Sequence, residues 1–392
     1  MTFPIFAIFV RGLAVVYAVA IGSYAGQIVA LAGSRGISPI TAVHARLIRD
    51  VGAMRGFCSA PSLLWCAGTS DGSLRWLPRL GALAAVLLAL CGGLFVSIGG
   101  DSTCDARVGG ESACDAAGAP LFAVTLSSRA LLAMCWATLL SLTHAARDFS
   151  GFPWDCLLLE AGFLALFLPT VAAPAVLRVA RAGSALDFSA QLAASGGLAP
   201  LAADVHPVVG WAFRWLLFRM MFGFGKKKFG SADWMEHWDY IRAFFISQPM
   251  PSPLALIAFR YAPRAIYAPS LVFMFIAEIV VPFLYFATGY LRVGAALATA
   301  ALMIGIQCTG NFGYFNILTV VLTIPLLDAD ASVFDVGAAC ASACGGVLGG
   351  GASGGGASGG LGGAAACANE LGWLLFGLVL LGAGTLTLPF DR

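Results

Sequence analysis

The sequence predicts an all-α fold: a polytopic transmembrane helical bundle of about seven to nine spans, with interfacial helices between them. Three observations carry this expectation. Hydrophobic residues make up 59% of the 392 and charged residues only 11%, against roughly 25% charged in a soluble domain. The mean hydropathy is +0.88. Apolar runs long enough to cross about 30 Å of hydrocarbon recur along the chain. The net charge of +2 says little about partners. No Lys/Arg tract interleaved with aromatics points to nucleic acid, so membrane lipids are the expected surroundings.

The spans fall near 12–32, 78–99, 120–142, 155–175, 268–288, 291–309, 311–327 and 371–389. The first follows an interfacial lead-in at residues 1–11. Ala18-Val19-Ala20 resembles a signal cleavage site, but the apolar run continues past it and Arg11 interrupts the would-be signal core. A retained span is therefore expected. Gly22 and Gly26 form a GxxxG pair suited to close helix contact. Segment 208–224 is aromatic-rich but carries Arg214 and Arg219, so it reads as a span or as a helix lying at the interface. The runs 291–309 and 311–327 nearly touch, which implies a tight hairpin or a broken helix.

Loop charge gives an orientation. Residues 35–79 carry Arg35, Arg46, Arg49, Arg55, Arg75 and Arg79 against Asp50 and Asp71, whereas 101–118 carry four acids and only Arg107. The positive-inside rule places the first loop in the cytosol and the second outside. Cys104 and Cys114 share that second loop, where they form a disulfide if it faces an oxidising lumen and stay free thiols otherwise. Composition breaks after residue 330. Residues 331–370 form a Gly/Ala/Ser-rich linker, and 371–392 hold a last apolar segment. Gly351-Ala352-Ser353-Gly354-Gly355 matches the G-x-S-x-G nucleophile elbow in letters only, because that motif needs a strand before it and a helix after it.

The polar residues inside apolar runs are the candidates for function, since ionisable groups in hydrocarbon are costly. Within "GFPWDCLLLEAGFLALFLP", Asp155 and Glu160 stand roughly 140° apart at about 100° per residue, so they do not form a carboxylate dyad on one face. Asp155 follows Pro153 and suits a helix N-cap. Glu160 lies a turn inside and calls for a partner, with Arg214 and Arg219 as candidates. Glu278 precedes Pro282 by four residues; proline has no N–H, so the helix is expected to kink and leave a polar spot. That spot serves either as a site or as a structural pairing. "QCTGNFGYFN" exposes backbone to a cavity or makes a tight helix–helix turn. "GFGKKKFG" is a headgroup-facing anchor or places a lysine in a site, and it lacks P-loop spacing. The four histidines are scattered, and Cys340 and Cys344 lack a second pair at zinc spacing. No metal, cofactor or catalytic residue is indicated.

Several stretches together resemble the lipase maturation factor family of endoplasmic-reticulum membrane proteins. They are "FVRGLAVVYAVAIGSYAGQIVALAGSRGISP", "PSLLW" with Ser70-Asp71, "FPWDCLLLEAGFLALFLP", "WLLFRMMFGFGKKKFGSADW", "QPMPSP" and "TGNFGYFNILTVVLTIPLLD", in family order across about residues 8–328. The wording is most similar to plant- or alga-type members. The resemblance implies that residues 1–330 are the family's transmembrane domain, in a multi-pass protein of the endoplasmic reticulum. It implies secretory clients, lipases above all, and no chemical reaction. The family's characteristic positions fall on Trp154, Asp155, Glu160, Gly162, Arg219, Gly223, Lys228, Gln248, Pro249, Glu278, Asn311 and Asn316. Animal members continue into a large lumenal domain implicated in lipase contact, where this chain runs into the Gly-rich linker. The family is drawn with a lumenal first loop, opposite to the charge count. A distant similarity of architecture to vitamin K-dependent carboxylases supplies an alternative: a membrane enzyme acting on a lipid or peptide, with Lys228, Glu160 and Glu278 lining a cavity. A transporter is a third reading.

Overall fold

The computed structural model describes residues 5–98, 122–171, 175–182, 185–191, 204–230, 240–247, 252–310 and 312–327. The chain divides into two compact units, Met1–Asp204 and Val205–Arg392. The expected disulfide at Cys104 and Cys114, the linker and the last apolar segment lie outside the described residues.

The first unit contains α1 (Ile5–Ala25), α2 (Ile28–Ala32), α3 (Ile40–Val51), α4 (Ala53–Ser59), α5 (Leu64–Ala67), α6 (Asp71–Cys91), α7 (Ser128–Ala145) and α8 (Pro153–Ala165). Along α1, Phe9, Leu13, Tyr17 and Ala20 recur at helical spacing and are fully buried, while Val15 and Val19 are about half exposed. A helix apolar on both faces fits a lipid solvent on the outer one. The helix starts at Ile5, so residues 5–11, expected as an interfacial lead-in, are continuous with the span. Arg11 does not break the helix; its guanidinium reaches the α6 terminus beside Gly92.

Helix α6 opens on Ser70, whose hydroxyl accepts the Ser73 N–H at 3.1 Å, the usual device for a free helix terminus. Leu74, Pro78, Gly81, Ala85 and Leu88 form its buried stripe, and Trp76, Leu80, Leu83 and Leu90 its exposed one. At Gly81 a Cβ would stand 2.6 Å from Thr138 Cγ2, so the missing side chain lets α6 lie close on α7. The close contact expected at Gly22 and Gly26 is not made among the described residues. Both are exposed, with no atom of the described residues within 4 Å of where a Cβ would stand, because the end of α1 and the turn after it face outward.

Gly92 ends α6 with φ 67° and returns its N–H to Leu88 O at 3.0 Å. The chain then enters a small sheet, an addition to the expected helical architecture. Its strands are β1 (Leu94–Ile98), β2 (Phe122–Leu126), β3 (Ala175–Ala182) and β4 (Ala185–Gln191), in the order β2-β1-β3-β4. β1 pairs antiparallel with β2, Leu94 opposite Leu126, and parallel with β3, Leu94 opposite Ala175. β3 and β4 are antiparallel neighbours. Spans read as 78–99 and 120–142 therefore lose their ends to strands. A largely apolar run of five residues cannot be told from helix by hydropathy alone.

The linking loops of this unit are held by polar contacts. Asp71 accepts from the Ser34 N–H at 2.7 Å and the Ser34 hydroxyl at 2.9 Å. His44 of α3 stacks on Trp65 at 4.2 Å between ring centroids, and burial lowers its pKa.

The second unit contains α9 (Pro207–Gly230), α10 (Tyr240–Ile246), α11 (Pro253–Tyr261), α12 (Tyr267–Phe275), α13 (Tyr290–Thr309) and α14 (Phe315–Thr323). α12 passes into a π turn at Ile276–Val280 and a 3₁₀ stretch at Val281–Phe286. This realises the irregularity expected from Pro282, as a widened turn ahead of the proline. The runs at 291–309 and 311–327 form a tight hairpin, with Gly313 at φ 59° in the turn.

Among the described residues, four helices are long and apolar enough to cross a membrane: Ile5–Ala25, Asp71–Cys91, Tyr267–Phe286 and Tyr290–Thr309. The stretch Phe315–Leu327 is apolar but shorter. Helix α8 has 13 residues, roughly 20 Å at 1.5 Å per residue, short of the roughly 30 Å hydrocarbon core. The described residues thus do not confirm seven to nine spans.

Candidate functional site

In the second unit, α9 runs without a break through the aromatic segment and "GFGKKKFG", and ends in its basic cluster. Gly225 faces the π turn. A Cβ there would stand 2.9 Å from Glu278 Cβ and 2.8 Å from Ile279 Cγ1, so only glycine allows this approach. Gly223, the position carried over from the family, has no atom of the described residues within 4 Å of where its Cβ would stand; among these residues the steric need falls two positions later.

One turn beyond Gly225, Lys228 Nζ meets Glu278 Oε1 at 2.5 Å, and lies 3.9 Å from Met274 Sδ. The Glu278 side chain is 2% exposed and that of Lys228 29%. Glu278 Oε2 is buried with no hydrogen-bond partner among the described residues. The polar spot expected beside Pro282 is therefore an ion pair with a lysine. The carboxylate is sealed and the ammonium stands at an opening. That opening is a cavity of about 270 Å³, lined by Lys228, Tyr240, Phe244, Phe273, Leu302 and Ile306 among others.

Across the hairpin, the buried Asn316 side-chain amide donates to Gln307 Oε1 at 3.1 Å, tying the foot of α14 to the end of α13. "QCTGNFGYFN" is thus a clamped helix–helix turn. Replacing Asn316 with Leu is expected to cost about 1 kcal/mol, the worth of a typical hydrogen bond. A thermal melt of the detergent-purified protein checks this; an unchanged midpoint removes the clamp role.

In the first unit, Asp155 is not the helix N-cap. The cap residue is Phe152 and Pro153 occupies the first helical position, which puts Asp155 in the first turn. There it is 6% exposed, near the positive end of the helix dipole. The correction comes from proline itself, whose preset φ favours the first position of a helix. Trp154 stacks on Phe152 at 4.4 Å. Glu160 is half-buried and is not left without an interaction. Because both acids lie in one helix, their angular separation stands and no dyad forms. Gly162 packs against Tyr17. A Cβ at Gly162 would overlap the Tyr17 hydroxyl, which donates to Leu158 O at 3.0 Å.

Arg214, 3% exposed, and Arg219, half-buried, stand on α9 in the second unit. Gln248, Pro249 and Asn311 lie outside the described residues. The sequence reading missed Arg292, fully buried, whose Nε donates to Leu326 O at 3.1 Å at the end of the last 3₁₀ turn. An arginine in the first turn of an expected span was the available signal. It also missed the Tyr285–Thr299 hydroxyl pair at 2.6 Å. Among the described residues no group of three His, Cys, Asp or Glu could hold a metal.

Four membrane-length helices among the described residues, and a sealed carboxylate paired with a lysine, define a multi-pass membrane protein. The model of the lipase maturation factor transmembrane domain matches residues 6–334, and the chain belongs to the lipase maturation factor family. It is similar to Lipase maturation factor 2 of Rattus norvegicus, 33% identical over 330 residues, covering 82% of this chain and 40% of that protein. The human protein of the same name is also 33% identical over 330 residues, covering 82% of this chain and 39% of that protein. Lipase maturation factor 1 of Mus musculus is 24% identical over 335 residues, covering 83% and 48%. The chain thus spans less than half the length of these relatives. No solved structure matches.

Proposed function

We propose that this protein is an endoplasmic-reticulum membrane factor that assists the folding, assembly and export of secreted lipases or other secretory clients. The observation that carries the reading is the family match over residues 6–334, together with relatives named as maturation factors and not as enzymes. The apolar helices support a membrane scaffold in each unit. Deleting the gene and measuring secreted lipase tests the proposal. Lipase mass and activity per molecule outside the cell are expected to fall several-fold, with inactive lipase retained inside. Normal secretion of fully active lipase would sink the maturation role.

One observation favours a second reading, a membrane enzyme acting on a lipid or peptide: a lysine beside an apolar cavity, backed by a sealed carboxylate. It would gain weight only from turnover by the purified protein that is lost in K228M.

A further inference from the structure

Helices α3 and α4, with the short α5 after them, form a cap at one end of the first unit. Polar contacts fix the cap there. The Leu63 N–H donates to Ser141 Oγ near the end of α7 at 2.8 Å, and the Ser38 hydroxyl donates to Asp148 Oδ2 at 2.6 Å. The Ser73 hydroxyl, in the first turn of α6, donates to Ala67 O at 2.7 Å. Trp76, in the second turn of α6, is 62% exposed and has the Arg79 guanidinium 5.2 Å from its ring centroid. A tryptophan in this position, at the head of a membrane-length helix, stands at the level of the lipid headgroups. The cap therefore lies at the boundary between hydrocarbon and water.

Its residues divide by face. At about 100° per residue, Ile40, His44, Ile48 and Val51 fall within about 80° of one another on α3. The first half of this stripe is covered: Ile40 is buried and His44 stacks on Trp65, whose ring also packs against Gly56 of α4. The second half is bare. Ile48, Val51 and Phe57 are between 42% and 47% exposed, and Met54 is 77% exposed. Arg46 and Arg49 stand opposite the stripe, and Arg55 follows on α4; all three are exposed. Asp50 is the one acid in residues 37–60. A bare apolar stripe backed by arginines is the pattern of a helix that lies in the membrane surface. The excess of positive charge also decides what covers it. A second copy of the cap would bring like charges together, whereas anionic phospholipids attract exposed basic side chains beside a membrane.

We propose that α3 and α4 lie in the headgroup layer of an anionic leaflet, with Ile48, Val51, Met54 and Phe57 seated among the upper acyl segments and Arg46, Arg49 and Arg55 paired with phospholipid phosphates. Arginine stems are long enough to reach that layer from the far face of a helix lying in it. The inference stands on the geometry of the first unit and does not depend on the maturation role.

The test uses the full-length protein, one copy per lipid nanodisc, with an environment-sensitive fluorescent amino acid in place of Met54. A control carries it in place of Ala42, which is exposed on the arginine side of α3. The discs hold phosphatidylcholine and phosphatidylserine in one fixed ratio, and either lipid is brominated high in its acyl chain. Quenching by each brominated lipid is compared with quenching by iodide from the water. The Met54 probe is expected to be quenched by lipid and shielded from iodide, and the Ala42 probe to show the reverse. Per mole, brominated phosphatidylserine is expected to quench the Met54 probe about two-fold more than brominated phosphatidylcholine. The variant R46E/R49E/R55E alters only exposed side chains, so it is expected to keep the parent melting midpoint and lose that preference. A Met54 probe open to iodide would overturn the proposal. So would one shielded from both quenchers, because protein would then cover the stripe. Equal quenching by the two lipids in the parent protein, or an undiminished preference in the normally folded triple variant, would overturn it as well.

Discussion

Lys228→Met is expected to lower the thermal stability of the detergent-purified protein by about 3 kcal/mol, the lower end of what is lost when one member of a buried pair is removed. The cause is the partner left behind. Glu278 is 2% exposed and its second oxygen already lacks a hydrogen-bond partner among the described residues, so without the ammonium the whole carboxylate is uncompensated. Partial exposure of Lys228 places the value at the low end. Methionine keeps the length and the apolar stem of the side chain, which separates charge from packing. The double variant K228M/E278M removes the stranded charge and is expected to recover most of the loss. A thermal melt of the parent, K228M, E278M and K228M/E278M proteins gives the coupling. Simple additivity of the two single effects would show that the contact is not energetically linked.

Gly162→Ala is expected to cost about 3 kcal/mol. Its Cβ would overlap the Tyr17 hydroxyl and stand 2.8 Å from Tyr17 Cζ. Tyr17 is fully buried and tied to Leu158 O, so it cannot swing aside without losing that bond. Overpacking of this kind costs about 1–3 kcal/mol, and the broken hydrogen bond adds about 1 more. Tyr17→Phe removes the hydroxyl and is expected to cost about 1 kcal/mol by itself. In the Y17F/G162A double variant the nearest clash is gone, so the combined loss is expected to be smaller than the sum. Melting midpoints of the three variants against the parent protein decide it. A Gly162→Ala protein that melts like the parent would show that α1 and α8 do not close over this glycine.

Much of the helical body was legible because hydropathy is a long-range average that spans of twenty residues satisfy easily. The helices Tyr267–Phe286 and Tyr290–Thr309 fall within a few residues of their expected places. Shorter features escaped. Five largely apolar residues such as Leu94–Ile98 hold too few periods to separate strand from helix, and strand pairing depends on partners some eighty residues away. The GxxxG pair failed for a related reason: letters show where a close contact is allowed, and packing decides which face is used. Gly81, Gly162 and Gly225, unremarked by any spacing rule, make the contacts instead. At the site, Pro282 pointed to an irregularity at Glu278, yet nothing in the spacing pairs residue 278 with residue 228. That pairing depends on Gly225 admitting α9 to the π turn.

The pairing of β2, β1 and β3 fixes a parity. Hydrogen-bonded strands share one side of a bilayer, so the chain leaving β2 at Leu126 must come back to that side before β3 begins at Ala175. Only α7 and α8 lie among the described helices of that excursion. The number of crossings between the two strands must be even. Since α8 alone is shorter than the hydrocarbon is thick, the excursion is either a full out-and-back loop that shares its depth between two unequal arms or one that never reaches the far side. Any orientation of the chain, whichever loop is cytosolic, has to respect that count.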